Sequence, residues 1–158
     1  MTPLAKDAGG YGSKIASALG PDGKLIAVSY LHGSIGIFDT ATGRQIAGNG
    51  SAHPALILAM AFSADGTKLT TADQEGTIRI WADPQKLTSA SAALRTLKGH
   101  RRAITTIGFS IDGKRLVTTS VDKTARVWDL ENSGPAIRPL ERFRGPLNIV
   151  ARFSPDGQ

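Results

Sequence analysis

The chain has 158 residues, of which 41% are hydrophobic and 20% charged, and it contains no cysteine. This composition is typical of a globular protein and not of a disordered chain. No apolar run approaches the length of a membrane-spanning helix, and the first residues lack the apolar stretch of a secretory signal. The missing cysteines exclude disulfides, thiolate metal sites and cysteine nucleophiles. They also fit a reducing compartment, so we expect a cytoplasmic protein with no metal or other cofactor.

The net charge of +6 is unevenly distributed along the chain. Residues 1–93 carry seven basic and seven acidic side chains, whereas residues 94–158 carry twelve basic and six acidic ones. Such an excess can indicate an acidic partner or a nucleic acid. Aromatic residues make up only 6% of the chain and do not alternate with the basic ones, which argues against a platform for single-stranded nucleic acid. The simplest interpretation is that the extra basic side chains are solvated residues of strands and turns.

In chain order, a flexible leader is predicted over residues 1–13, and short β-strands follow it. Apolar and polar residues alternate before Asp-Gly turns, which predicts hairpins. SASAAL at Ser89–Leu94 is the only helix-tolerant patch, so several short strands with regular turns predict an all-β protein. The predicted strands are Ile15–Leu19, Leu25–Ser29, Ser34–Thr40, Leu56–Phe62, Leu69–Ala72, Thr77–Asp83, Ala93–Leu97, Arg115–Ser120, Ile137–Phe143 and Leu147–Phe153.

Two markers recur in the same register. One is the aspartate of a DG turn, and the other is an aromatic residue that closes a strand. Both recur at steps of about 43 to 47 residues, and a period in the forties indicates repeated supersecondary units. We divide the chain into units 14–50, 51–98 and 99–144 and a truncated unit 145–158. The marker residues are Asp22, Asp65, Asp112 and Asp156 for the turns and Phe38, Trp81 and Trp128 for the strands.

The third unit resembles one complete WD repeat of a β-propeller. It contains Gly99-His100, then FSIDGK at Phe109–Lys114 and SVDKTARVWD at Ser120–Asp129. The second unit is similar through His53, FSADGT and TIRIW. The resemblance implies blades of four antiparallel strands in an incomplete ring, with three blades and the first strand of a fourth. Closed propellers have about four to eight blades, so we expect this chain to be a fragment of a longer propeller protein.

The resemblance also assigns a role to a polar cluster in the third unit. His100, Ser120 and Asp122 could suggest a hydrolase triad, but no GxSxG turn presents the serine. In WD repeats the equivalent residues form a structural hydrogen-bonded tetrad, here His100, Ser120, Asp122 and Trp128. Such a network would satisfy the polar groups of a buried tryptophan and histidine. We therefore expect no catalytic residues.

The other units depart from this pattern. In the second, His53 and Trp81 are retained, but Asp73 stands where serine or threonine is expected and Glu75 where aspartate is expected. In the first, Phe38 replaces tryptophan, with Tyr30 and His32 at the serine and aspartate positions. The complete tetrad is therefore assigned only to the third unit, and the three scattered histidines predict no metal site.

Two classes of function remain open for such a chain. The first is a non-enzymatic scaffold that binds other proteins through loops on a rigid disc. The alternative is a sensory or substrate-recruiting repeat region of a multidomain kinase or NTPase. The candidate partner-binding face combines the Gly-His loop with the tetrad turn and favours acidic or phosphorylated segments. Its predicted residues are Arg101, Arg102, Val121, Lys123 and Arg144.

Overall fold

The computed structural model describes residues 14–132, 137–140 and 150–154, so the predicted leader 1–13 lies outside it. The described residues form three antiparallel sheets of four strands, each in sequential order, which confirms the all-β prediction. We call the sheets blades 1, 2 and 3. Blade 1 contains β1 (Lys14–Leu19), β2 (Leu25–Tyr30), β3 (Ile35–Asp39) and β4 (Gln45–Asn49). Blade 2 contains β5 (Ile57–Phe62), β6 (Lys68–Asp73), β7 (Thr77–Ala82) and β8 (Arg95–Lys98). Blade 3 contains β9 (Ile104–Phe109), β10 (Arg115–Ser120), β11 (Ala125–Asp129) and β12 (Ile137–Leu140).

The DG turns between the first two strands of each blade are held by their own polar side chains. In blade 2, Ser63 Oγ donates to Asp65 Oδ1 at 2.6 Å, and the Thr67 backbone N–H donates to the same oxygen at 3.0 Å. These hydrogen bonds, led by that of Ser63, lower the pKa of Asp65 to about 2. The carboxylate is therefore ionised at neutral pH and fixes the turn that pairs β5 with β6.

The three blades share one register around the aromatic marker. In blade 3, Leu116 pairs with Trp128 and Thr118 with Arg126. The repeated register places equivalent residues opposite one another in the other blades. The matching pairs are Leu69 with Trp81 and Thr71 with Arg79 in blade 2, and Ile26 with Phe38 and Val28 with Gly36 in blade 1.

The first strand of each blade is the innermost one, because β5 packs against both β1 and β9. Blade 2 therefore lies between the other two, and the three blades do not close a ring. Apolar cores fill both interfaces: Trp81 is buried between blades 1 and 2, and Trp128 between blades 2 and 3. Each tryptophan thus faces the preceding blade, and the hydrophobic effect holds the blades side by side.

Close backbone contacts join neighbouring blades at one end of the strands. Gly76, in the turn between β6 and β7, has φ of +87°, and a Cβ there would lie 2.6 Å from the carbonyl oxygen of His100. Gly33 occupies the equivalent turn of blade 1 with φ of +74°, and its carbonyl accepts the His53 backbone N–H at 2.9 Å. Only glycine suits such a backbone at so close an approach. The histidine-bearing loops of blades 2 and 3 therefore each pack on the turn of the blade before.

A segment of blade 2 covers the outer edge of blade 1. A 3-10 turn at Pro84–Lys86 leads to Leu87, whose carbonyl accepts the Gly48 N–H at 2.9 Å. Asn49 Nδ2 donates to the Ser91 carbonyl at 3.2 Å, and Leu87 is 4% exposed. Ser89–Leu94, the helix-tolerant patch, forms no helix. The segment instead satisfies edge groups of β4 that would otherwise be open to association.

Little of the predicted fourth unit is described. Residues 150–154 have no regular secondary structure, and 145–149 and 155–158 lie outside the described residues. The Arg115 guanidinium carbon lies 5.6 Å from the centre of the Phe153 ring, which connects this segment to blade 3. In the part of the chain that the structure describes, no helix is long and apolar enough to cross a membrane.

Candidate functional site

A chain of hydrogen bonds joins a buried tryptophan to a turn aspartate in blade 3. Trp128 Nε1 donates to Thr118 Oγ1 at 2.9 Å, and Thr118 Oγ1 lies 2.8 Å from His100 Nε2. His100 Nδ1 lies 2.9 Å from Asp122 Oδ2. Because the indole can only donate, the threonine proton points to Nε2, and the Nδ1 proton points to the carboxylate. The four groups therefore satisfy one another's hydrogen bonds, and each proton is donated in the direction from Trp128 to Asp122.

The prediction that Ser120 belongs to this network is wrong, because Thr118 takes its place. Both hydroxyls lie on the same face of β10, but the register puts Thr118 opposite Arg126 and diagonal to Trp128, whose Nε1 it reaches, whereas Ser120 lies at the strand end. Ser120 Oγ instead donates to the Arg102 carbonyl at 3.0 Å and accepts the Asp122 N–H at 3.0 Å. Ser120 therefore connects the loop that contains His100 and Arg102 to the turn that contains Asp122.

Blade 2 contains the same network, so the assignment of a complete set to the third unit alone is also wrong. His53 Nε2 lies 2.7 Å from Thr71 Oγ1, which accepts from Trp81 Nε1 at 2.9 Å. His53 Nδ1 lies 2.8 Å from Asp73 Oδ2. Asp73 thus serves as the acid, not Glu75, because it ends β6 with its carboxylate beside the imidazole.

Blade 1 has no such network at the equivalent positions. Val28 stands where the threonine is and Phe38 where the tryptophan is, so neither side chain needs a polar partner there. His32 is exposed in a left-handed turn conformation with φ of +68°. No group of three or more potential metal-binding side chains occurs among the residues that the structure describes.

Burial and hydrogen bonding set the protonation of the blade 3 network. Burial lowers the pKa of His100, although the Asp122 carboxylate opposes this shift. Burial raises the pKa of Asp122, but hydrogen bonds from Thr124, the Arg101 backbone N–H and His100 outweigh it and bring the pKa to about 2. At neutral pH a neutral imidazole therefore donates to an ionised carboxylate.

The network offers no exposed group for acid–base or nucleophilic chemistry. The His100 side chain is fully buried, and both of its ring nitrogens have hydrogen-bond partners. Ser120 is 2% exposed, and its hydroxyl is bonded to a backbone carbonyl, not to a base. A catalytic triad needs a nucleophile in contact with its base and open to substrate. The arrangement instead fixes the histidine loop to the blade.

Most of the predicted partner-binding residues lie side by side on this fixed loop and turn. Arg101, Arg102 and Lys123 are exposed, and Val121 is partly buried. We call these four residues the basic face; Arg144, also predicted to belong to it, lies outside the described residues. The Arg101 N–H donates to Asp122 Oδ2 at 2.9 Å, and the Val121 N–H donates to the Ala103 carbonyl at 2.9 Å. The loop and the turn are therefore adjacent and joined by hydrogen bonds.

Comparisons with known proteins agree with this geometry. The family model "WD domain, G-beta repeat" (WD40) matches residues 45–82 and 91–129. The crystal structure of RRP9 WD40 repeats is similar to the chain with a TM-score of 0.72 and 26% sequence identity. The match covers 84% of this chain but 39% of that one, so the chain spans about two fifths of the length of that structure. A search of the curated proteins gave no match.

Proposed function

This chain carries WD40 repeats of the β-propeller family and is a protein-interaction repeat domain, and from that premise we propose a more specific role for it. We propose that it is a non-enzymatic scaffold, part of a larger propeller, and that the basic face binds an acidic or phosphorylated segment of a partner protein. Three blades form an open arc, whereas closed propellers have about four to eight. The protein as a whole would then contain further blades.

The observation that most directly supports this proposal is that hydrogen bonds hold the backbone of the loop that bears Arg101 and Arg102. The His100 network, the Asp122 carboxylate and the Ser120 hydroxyl all bind the same loop of the chain. Arg101 and Arg102 thus have exposed side chains on a loop whose backbone is held by hydrogen bonds. Less order is then lost on binding than with a flexible loop, which favours recognition.

The charges of the basic face favour an acidic protein segment over a nucleic acid. A guanidinium forms paired hydrogen bonds with carboxylate or phosphate oxygens. A platform for single-stranded nucleic acid would need aromatic rings on which bases stack. Trp81 and Trp128 are at most 2% exposed, and no aromatic side chain is exposed among the residues that the structure describes.

The experiment compares two double charge reversals in the full-length protein. Arg101→Glu/Arg102→Glu alters the basic face, and Lys24→Glu/Arg44→Glu alters two exposed cations in turns at the opposite end of the strands. Each variant is used to recover partners from native lysate, with and without phosphatase treatment. We expect the first variant to lose partners that the second retains, because only the first reverses the charge of the binding surface.

The control for folding is the circular dichroism spectrum and melting temperature of each variant. If Arg101→Glu/Arg102→Glu stays folded and recovers the same partners as the unmodified protein, the basic face is not the binding surface. Loss of partners after phosphatase treatment would further assign a phosphorylated segment.

A further inference from the structure

An asparagine–glycine pair, Asn49 and Gly50, lies where a segment of blade 2 covers the edge of blade 1. We call this segment, residues 84–91, the strap. Asn49 is the only one of the three asparagines in the chain that is followed by glycine. An asparagine amide is chemically labile, and a glycine after it leaves the attacking backbone nitrogen unshielded by a side chain. The pair is therefore a candidate site of deamidation.

Deamidation at such a pair needs freedom in the backbone. The Gly50 nitrogen loses its proton and attacks Cγ of Asn49, the bond from Cγ to Nδ2 breaks, and ammonia leaves. Water then opens the five-membered ring at either carbonyl, which gives aspartate or isoaspartate. The net reaction consumes water, releases ammonia and needs no oxidant or other co-reactant. The ring closes only when Asn49 rotates so that its Cγ meets the Gly50 nitrogen.

The folded chain restrains both reacting groups. Asn49 pairs with Ile35 in blade 1, which keeps its backbone extended, and it is only 2% exposed. Its Nδ2, the nitrogen that would leave, donates to the Ser91 carbonyl at 3.2 Å. The Gly50 nitrogen, which would attack, donates to Ser89 Oγ at 3.4 Å. The strap thus binds the two nitrogens on which the reaction depends.

The strap is attached to blade 1 by a small set of contacts. Only Pro84 and Leu87 of its residues are buried, and Leu87 belongs to the core between blades 1 and 2. The Leu87 carbonyl accepts the Gly48 N–H at 2.9 Å, whereas Ser89 is exposed. A surface segment with so little buried area opens locally at a lower free energy than the whole domain unfolds. Such opening releases Asn49.

We propose that Asn49 is a deamidation site controlled by the strap, and that its modification makes release of the strap irreversible. In the aspartate product, a carboxylate oxygen replaces the nitrogen that donates to the Ser91 carbonyl. In the isoaspartate product, the backbone before Gly50 is also longer. Neither product restores the closed edge, because a buried carboxylate without a donor is costly. The outer edge of β4 then stays open to pairing with another strand.

The first test measures the deamidation rate of Asn49 by peptide mapping and mass spectrometry, in the folded full chain and in urea. We expect a slower reaction in the folded chain. Ser89→Ala removes the acceptor of the Gly50 N–H from an exposed position and should raise the folded rate about twofold or more. Leu87→Ala removes the buried anchor and should raise it about thirtyfold or more. Leu94→Ala is the matched control, because Leu94 is 62% exposed, and should leave the rate unchanged.

The second test asks whether the product holds the strap open. Asn49→Asp introduces the carboxylate directly, and Asn49→Ala removes the hydrogen bond without adding a charge. Release of the strap is measured by hydrogen exchange of the Gly48 amide and by tryptic cleavage after Lys86. We expect both to increase about tenfold or more in Asn49→Asp and less in Asn49→Ala. Exchange of the Val28 amide, in the middle of blade 1, should not change.

Three results would overturn the inference. Equal deamidation rates of Asn49 in the folded chain and in urea, or an unchanged rate in Leu87→Ala, would show that the strap does not control the site. Unchanged Gly48 exchange in Asn49→Asp would show that the modification does not keep the strap open. An equal increase at Gly48 and Val28 would mean that the whole blade opens, which also contradicts control by the strap.

Discussion

Removal of the Thr118 hydroxyl is the sharpest test of the hydrogen-bond network in blade 3. Thr118→Val preserves the shape of a side chain that is 0% exposed, so packing changes little. It leaves the Trp128 Nε1 donor and the His100 Nε2 acceptor without their shared partner. Blade 1 shows that valine is suitable at this position, since Val28 stands there next to Phe38, which has no N–H group.

The magnitude follows from the two groups that lose their partner. Each unsatisfied buried polar group costs about 1–3 kcal/mol, and we expect about 3 kcal/mol for the pair. For a domain of about 150–250 residues, 1 kcal/mol changes the melting temperature by about 2–4 °C. Thr118→Val should therefore lower it by roughly 6–12 °C. Ser120→Ala removes two hydrogen bonds to backbone groups, but both are only part-buried, so it should cost less, about 2 kcal/mol.

The assay is urea unfolding followed by circular dichroism, which does not depend on tryptophan fluorescence. The double variant Thr118→Val/Trp128→Phe reproduces the blade 1 pair, so it should cost less than the sum of the two single changes. If Ser120→Ala destabilised the chain more than Thr118→Val, or if the single costs were additive, the assignment of Thr118 as the central hydroxyl would be refuted.

Two further predictions concern the same end of the strands. Acid should lower the free energy of unfolding in two steps, because the folded protein lowers the pKa of two groups. The pKa of His100 lies below its ordinary 6.5, so the unfolded chain binds a proton that the folded chain does not below about pH 6.5. The pKa of Asp122 is about 2 instead of 3.8, so the same happens again between about pH 4 and 2. Urea unfolding across this range measures both steps, and an unchanged slope near pH 6 in His100→Gln would contradict the first. Gly76→Ala should destabilise the chain by more than the roughly 1–2 kcal/mol that left-handed backbone costs alanine, because its Cβ would meet the His100 carbonyl at 2.6 Å. Gly43→Ala, with φ of +69° and open space around it, is the matched control, and equal melting temperatures for the two variants would contradict the contact.

The fold could be predicted largely from the sequence because its signals are local. Alternating residues and DG turns specify each hairpin, and β10 begins and ends where the pattern places it, at Arg115 and Ser120. Boundaries were less accurate where the chain leaves the sheet. The strand predicted at Ala93–Leu97 is observed at Arg95–Lys98, because the segment before it covers the edge of blade 1 instead of pairing.

The polar network was predicted only in part because its register is a tertiary property. Thr118, Thr119 and Ser120 are consecutive hydroxyls, and their composition does not show which one meets the tryptophan. A comparison of the units would have done so: at the distance of 47 residues between the two tryptophans, Thr118 matches Thr71, whereas Ser120 matches Asp73. Asp73 was missed for a different reason. When the two units are aligned, Asp73 and Asp122 stand two positions apart. In each blade, however, the carboxylate lies against Nδ1 of the histidine.

The central claim, that the basic face is where a partner protein binds, is tested most directly by site-specific photo-crosslinking in the full-length protein. A photoreactive residue at Val121 lies within the basic face, and one at Ala41 lies in an exposed turn at the opposite end of the strands. We predict a discrete protein adduct from position 121 that disappears on Arg101→Glu/Arg102→Glu, and none from position 41. Equal adducts from both positions, or an adduct from position 41 alone, would contradict the account.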